Sequence, residues 1–217
     1  VLNLINHILN EIRKPWKYGE YSLYVTVSAG IVSYPHQEGD VSSLIQKAEM
    51  AMYSQKDKGK DGYSIFDASM YEKTLNDMQM HIQLRQALEN NEFLLYYQPQ
   101  YELVTGKLLC AEALIRWNHP QRGFVSPMEF IPLAEKTRYI LPITLFVIKS
   151  AIIQRREWIN KGYEPLKIAV NLSGHVIMEP GGMEEIYALL EEYHVLPGEL
   201  EIEVTETAIM LELNKAK

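Results

Sequence analysis

Leu108, Cys110, Glu112, Leu114 and Arg116 alternate along the run Leu108–Trp117. Side chains two apart share one face of a strand, so a carboxylate and a guanidinium lie on an otherwise apolar face. Unpaired charge is expensive to bury. The two groups are about 13 Å apart along a strand, too far to bond directly. They are either ion-paired to other residues or part of a functional site. Asn171 stands near the C-terminal end of the run Leu166–Leu172, just before Ser173 and Gly174. It either bonds the following loop or faces a ligand, because ligands gather at the carboxyl ends of parallel strands. In Leu200–Thr205, Glu201, Glu203 and Thr205 oppose Leu200, Ile202 and Val204, and Glu206 follows. That polar side is a solvated face or, where both faces of the strand are covered, a lined one. Glu112, Asn171 and Glu203 together offer carboxylate and amide oxygens, hard donors that suit Mg²⁺ or Mn²⁺.

Several other chemistries are excluded. His119, His175 and His194 lack zinc-ligand spacing, and Cys110 is the single cysteine. The phosphate-binding pattern G-x-x-x-x-G-K-[ST] is absent, and so is the nucleophile pattern G-x-S-x-G. Lys56, Lys58 and Lys60 sit at a helix end, where their plain role is to complement the helix dipole. The net charge of −7 argues against a nucleic-acid binder, and an anionic substrate would need local cations or metal ions. A hydrophobic fraction of 47% supports a packed core rather than disorder. No stretch reaches the roughly 18 apolar residues of a membrane span, the first residues lack the charged start, apolar block and cleavage site of a signal peptide, and one cysteine fits a reducing cytoplasm. The chain starts on Val1 within a helical pattern and stops at Lys217 without a stop signal, so both ends read as cuts.

The elements that must position these residues follow from periodicity. Val1 to Ile12 carries an apolar stripe at helical spacing, ended by Pro15. Tyr21 to Ile31 alternates with period two, which predicts a half-buried strand of an antiparallel sheet. Asp40 can cap a helix that ends at Gly59, and Tyr63–Phe66 is a short strand. Ser69-Met70-Tyr71-Glu72 is a capping-box pattern opening a helix to about Asn90. A hairpin follows, Phe93–Gln98 and Leu108–Trp117, turning at Val104–Lys107. Ser126-Pro127-Met128-Glu129 opens another helix, and a longer one runs from about Leu141 to Lys161. Strand, helix and strand then succeed one another from residue 166, the signature of a parallel sheet.

Glu112-Ala113-Leu114 with Ile115-Arg116-Trp117 resembles the signature of EAL domains, the bacterial cyclic di-GMP phosphodiesterases. The resemblance extends over Tyr97-Gln98-Pro99, Thr105-Gly106, His119-Pro120, Gly123, Pro127, Phe130-Ile131-Pro132 and Ala134-Glu135. It continues through Val170-Asn171-Leu172-Ser173 and Glu201-Ile202-Glu203-Val204-Thr205-Glu206. Residues 1–68 resemble the C-terminal part of a GGDEF (diguanylate cyclase) domain through Val27-Ser28-Ala29-Gly30-Ile31, Ala48–Tyr53, and Lys56 through Gly59 to Tyr63. That family usually has Ala-Asp at Ala48-Glu49 and Ala-Lys at Gln55-Lys56. The expected organisation is a GGDEF-like part over 1–68, a connecting helix region over 69–81, and the N-terminal half of an EAL domain over 82–217. The expected fold is α/β: a partial GGDEF-type α+β sheet, then the first half of a TIM-like barrel with one antiparallel strand.

The resemblance implies roles residue by residue. Glu112, Asn171 and Glu203 correspond to metal ligands. Gln98 and Arg116 correspond to substrate contacts, Arg116 offering a planar fork to a phosphate oxygen. Glu206 corresponds to the glutamate that braces a neighbouring loop, and Lys56 and Lys60 to nucleotide phosphate contacts of the cyclase family. The implied reaction is hydrolysis of one phosphodiester of cyclic di-GMP to linear pGpG with two Mg²⁺ or Mn²⁺ ions. Implied partners are cyclic di-GMP, GTP at the GGDEF-like part, and a second copy in a homodimer of the intact protein. An inactive cyclic di-GMP receptor with a regulatory GGDEF-like part is the alternative. The stretch Gly174-His175-Val176 stands where a different polar stretch is common in the family.

The family's G-G-D-E-F loop would precede Val1, and its paired aspartates, catalytic lysine and last glutamate would follow Lys217. An anchor, if the parent has one, would lie upstream. A half-barrel leaves strand edges open, so the 217-residue chain alone is expected to be inactive and to aggregate or pair. Size-exclusion chromatography with an assay for pGpG checks this: a monodisperse monomer that hydrolyses cyclic di-GMP contradicts it.

Overall fold

The computed structural model describes residues 2–204. The chain forms two compact units, dividing between Gln79 and Met80.

The first unit begins with helix α1 (Leu2–Ile12) and the short strands β1 (Trp16–Tyr18) and β2 (Tyr21–Leu23). It continues with strand β3 (Ser28–Ile31), helix α2 (Val41–Asp57), strand β4 (Gly62–Ile65) and helix α3 (Ala68–Glu89). The single antiparallel strand expected over 21–31 is two strands in two sheets. Strand β2 pairs antiparallel with β1 in an exposed hairpin. Strand β3 pairs parallel with β4. The reason is connectivity: α2 carries the chain back over the sheet, and such a crossover returns the next strand parallel. Residues 24–27 separate the two strands, a break that period-two alternation does not reveal.

Asp40 caps α2 by accepting the Ser43 N–H at 2.9 Å. Gly30 lets α2 approach β3: a Cβ there would lie 1.8 Å from the Ala48 carbonyl oxygen, so alanine has no room. The expected capping box at Ser69 is displaced by two residues. Asp67 accepts the Ser69 N–H at 2.9 Å, and its hydrogen bonds from Ser69 hold the carboxyl below its usual range. Helix α3 runs unbroken past residue 79, and its Met80, Leu84 and Ala87 belong to the core of the second unit.

The second unit adds β5 (Phe93–Tyr101), β6 (Leu108–His119), β7 (Gly123–Val125), α4 (Pro127–Thr137) and α5 (Ile140–Asn160). It ends with β8 (Lys167–Leu172), α6 (Gly174–Met178), α7 (Gly182–Glu192) and β9 (Leu200–Val204). The sheet order is β5-β6-β8-β9, with β7 on the C-terminal end of β6. Strand β5 runs antiparallel to β6, whereas β6, β8 and β9 are mutually parallel. Buried His119 shapes the β6–β7 turn: its Nδ1 accepts the backbone N–H groups of Gln121 and Arg122.

One face of this sheet carries the core. Ile168, Val170 and Leu172 of β8 and Ala113 and Trp117 of β6 pack with Ile143, Val147, Ile148 and Ala151 of α5. Phe93, Trp117 and Phe130 form an aromatic knot with ring centroids 5.5–5.6 Å apart. The N-cap of α4 is Ser126, with Pro127 at its first position. The Glu129 side chain of that capping sequence pairs with Arg122 instead of returning to the cap.

Tyr97 stands edge-on to Trp158, 4.9 Å between centroids. Burial, with the Glu157 carboxylate nearby, pushes its phenol up to about 12. The unfolded chain releases that proton near pH 10, so between about pH 10 and 12 the folded state keeps a proton that the unfolded state loses. This contribution to stability is present below pH 10 and falls as pH rises through that window. Tyr97→Phe flattens the fall, as judged by urea unfolding midpoints at about pH 9 and pH 11.

Candidate active site

Register puts the polar residues of four strands on the sheet face opposite the core. Gln98 of β5 pairs with Glu112 of β6, and Glu112 with Ala169 of β8. Asn171 of β8 pairs with Glu203 of β9. Residues paired in register point to the same side, and so do residues two apart on one strand. Gln98, Glu112, Arg116, Asn171 and Glu203 therefore share one face. Glu112 sits one step below the Asn171–Glu203 pair, and the step is bridged: Asn171 Nδ2 donates to Glu112 Oε1 at 2.7 Å. Ala169, directly opposite Glu112, is fully buried and too small to separate them.

Arg116 does not pair with Glu112. Its Nη1 donates to the carbonyl of Ile115 at 2.8 Å, and its guanidinium stacks 5.4 Å from the Tyr96 ring centroid. Tyr96 orients that fork, and strand alternation on β5 was the one sequence signal that could have placed it there. Below the candidate residues, Lys167 and Glu201 form an ion pair on the same face. Glu201 holds the Lys167 ammonium above its usual range, while burial pushes the neighbouring Cys110 thiol up.

A cavity of about 200 Å³ opens at the strand ends, lined by Arg116, Asn171 and Ser173 on the sheet side and by Glu135 of α4 with Ile143 and Val147 of α5 on the helix side. A larger concavity, about 810 Å³, lies at Tyr97, Pro99, Trp158 and Tyr163, and none of the candidates lines it. Among the described residues, no three His, Cys, Asp or Glu side chains are placed to hold a metal together. The candidate donor set is two carboxylates and an amide, all oxygen donors of the kind Mg²⁺ and Mn²⁺ take. The Asn171 amide meets Glu112 through nitrogen, and turning it over would bring Oδ1 to the same position.

Glu206 lies outside the described residues. Lys56 and Lys60 stay in the first unit, both exposed. Lys56 lies 5.1 Å from the Tyr53 ring centroid, and Lys60 has a positive φ of 63°. The Gln55 amide clamps that turn, donating to the Lys60 carbonyl at 2.9 Å and accepting from the Ser64 hydroxyl at 3.1 Å. His119 and Cys110 are structural in their surroundings, and no element brings His194 to the face just described.

A parallel run of strands β6, β8 and β9, with β5 and the short β7 antiparallel to β6 and polar side chains gathered at its carboxyl edge, defines a barrel-type domain with a ligand site at its strand ends. The EAL domain family model matches residues 82–217, and the chain belongs to that family. The model for the diguanylate cyclase, GGDEF domain matches residues 1–62. The Pseudomonas aeruginosa protein named bifunctional diguanylate cyclase/cyclic di-GMP phosphodiesterase MucR is 35% identical over 207 residues, 95% of this chain and 30% of that protein. The Escherichia coli cyclic di-GMP phosphodiesterase PdeR is 30% identical over 207 residues, 95% of this chain and 31% of that protein. The chain thus spans under a third of the length of these relatives. Among solved structures, the PaMucR phosphodiesterase in its c-di-GMP complex superposes with a TM-score of 0.58 at 38% identity, covering 64% of this chain and 56% of that one. The Pseudomonas aeruginosa FimX EAL domain bound to c-di-GMP gives 0.55 at 28% identity, covering 63% and 54%. No helix among the described residues is long and apolar enough to cross a membrane.

Proposed function

We propose that the protein containing this chain hydrolyses one phosphodiester of cyclic di-GMP, giving linear pGpG. The observation that carries the reading is the hydrogen-bonded Glu112–Asn171 pair, with Asn171 level with Glu203, on the face that also bears Gln98 and Arg116. Family membership supplies the substrate class. Glu112, Asn171 and Glu203 would hold divalent Mg²⁺ or Mn²⁺, two ions in the intact site, which supply Lewis acidity and an ionised water when bound. The residues of this chain bind and orient. Arg116, its guanidinium already set on Tyr96, offers paired N–H donors to a phosphate oxygen. Gln98, opposite Glu112, offers both an amide donor and an acceptor to the substrate. Glu112 and Glu203 concentrate negative charge at the strand ends, which attracts cations and repels an anionic substrate until they are present.

Mutation of the full-length protein tests this. Glu112→Ala lowers turnover of cyclic di-GMP to pGpG by about 100-fold or more. Arg116→Lys keeps the charge, loses the fork and raises KM about tenfold. Chromatographic quantification of pGpG reads both. Undiminished turnover in Glu112→Ala sinks the proposal, whereas binding of cyclic di-GMP without turnover in the unaltered protein makes it a receptor.

We also propose that the first unit binds GTP through Lys56 and Lys60 and passes the signal along α3, and that the intact protein acts as a homodimer. The order of the two family matches along the chain supports the first of these. Calorimetry of a longer protein with GTP should show binding that Lys56→Ala with Lys60→Ala weakens. Equal affinity in that double variant removes the lysines from the proposal.

A further inference from the structure

Ser173 lies two residues beyond Asn171 and begins the turn into α6. Its oxygen accepts the His175 backbone N–H at 3.2 Å, which caps that helix. A hydroxyl has one proton to donate, and here it goes to Glu135 Oε1 at 2.6 Å. Glu135 comes from the last turn of α4, on which Phe130 and Ala134 are fully buried, so its carboxylate is carried by an anchored helix. The Glu135 side chain is only 25% exposed. His175 Nδ1 stands 3.6 Å from the same carboxylate oxygen and 3.5 Å from the Ser173 hydroxyl. With the serine proton given to Glu135, both atoms facing Nδ1 are acceptors, and the arrangement is complete with a proton on Nδ1. Capping α6 needs only the serine oxygen as an acceptor. The bond to Glu135 is additional, and it ties the end of β8 to α4 beside the cavity that Arg116 and Asn171 also line.

We propose that Glu135 is a positioning residue. Through the Ser173 hydroxyl it holds the end of β8, and with it the Asn171 amide, in the orientation that meets Glu112. Its importance for function rests on the reading of Asn171 as a site residue. His175 Nδ1 stands beside the Ser173 hydroxyl, 3.6 Å from the same carboxylate oxygen, which puts the stretch Gly174-His175-Val176, where this chain departs from the common family pattern, next to the clamp.

The test follows the Asn171 side-chain amide by NMR in the full-length protein labelled with ¹⁵N-asparagine, its signal identified by loss in Asn171→Ala. Glu135→Met removes the acceptor and leaves the cap in place. It should shift the Asn171 amide signals and speed their solvent exchange about tenfold, with Asn118 and Asn160 of the same unit unmoved. Glu135→Gln retains an acceptor oxygen and should restore most of the original signal. Asn171 signals unchanged in Glu135→Met overturn the proposal. If Asn118 and Asn160 move as well, the smaller truncation Glu135→Ala, which also spares the Ser173 cap, decides by the same criterion: an altered Asn171 with the other two unmoved supports positioning and an unaltered one overturns it. No nucleotide or metal enters the readout. A response at Asn171 in a protein that leaves cyclic di-GMP intact therefore upholds the clamp while the phosphodiesterase reading fails.

Discussion

Strand β8 is hydrogen-bonded on both edges, to β6 through Lys167–Val170 and to β9 through Ile168–Leu172. A strand held on both sides cannot slip without breaking two ladders at once. A slip of one residue would exchange its faces, sending Asn171 into the apolar core and Val170 toward water. The burial of Ile168, Val170 and Leu172 against α5 thus sets the direction of Asn171. The neighbours follow from it. Glu203 lies level with Asn171 because the β8–β9 register puts it there, and Glu112 lies one step below, close enough for the 2.7 Å bond.

The same register makes the face costly. Two carboxylates, two amides, a guanidinium and a lysine–glutamate pair crowd a sheet whose other side is almost wholly apolar. Polar groups gathered so closely are stabilised only by partners. The chain supplies part of the set: Asn171 for Glu112, Tyr96 and the Ile115 carbonyl for Arg116, and Lys167 for Glu201. Glu203 adds its charge to the field at the Lys167 ammonium, and a hard cation beside it and Glu112 would complete the balance in the proposed function. Glu135 adds a second layer, reaching the site from α4 rather than from the sheet.

Much of the site was legible in the residues. Alternation in Leu108–Trp117 put Glu112 and Arg116 on one face, and the order strand, helix, strand after residue 166 announced parallel pairing, as found. Local grammar was less dependable. Ser69 had the capping-box pattern, yet Asp67 makes the cap, because the chain enters α3 from β4 two residues earlier than the pattern implies. The alternation of Tyr21–Ile31 suggested one antiparallel strand, yet 28–31 pair parallel with β4, because partner choice depends on where α2 returns the chain. Glu135 stood in the resemblance only as part of Ala134-Glu135 and received no role, since nothing on α4 reveals a partner 38 positions away.

By itself the sequence determined which residues are apolar and with what period, hence the elements, the two faces of β6, β8 and β9, and the family. These are local properties, fixed by spacing along one strand or helix. Only the tertiary structure decided that Glu112 meets Asn171, that Arg116 rests on Tyr96, and that Glu135 grips Ser173. Those contacts join residues from separate elements, and the distance between them is set by register and by helix packing, neither of which is written in any single stretch of chain.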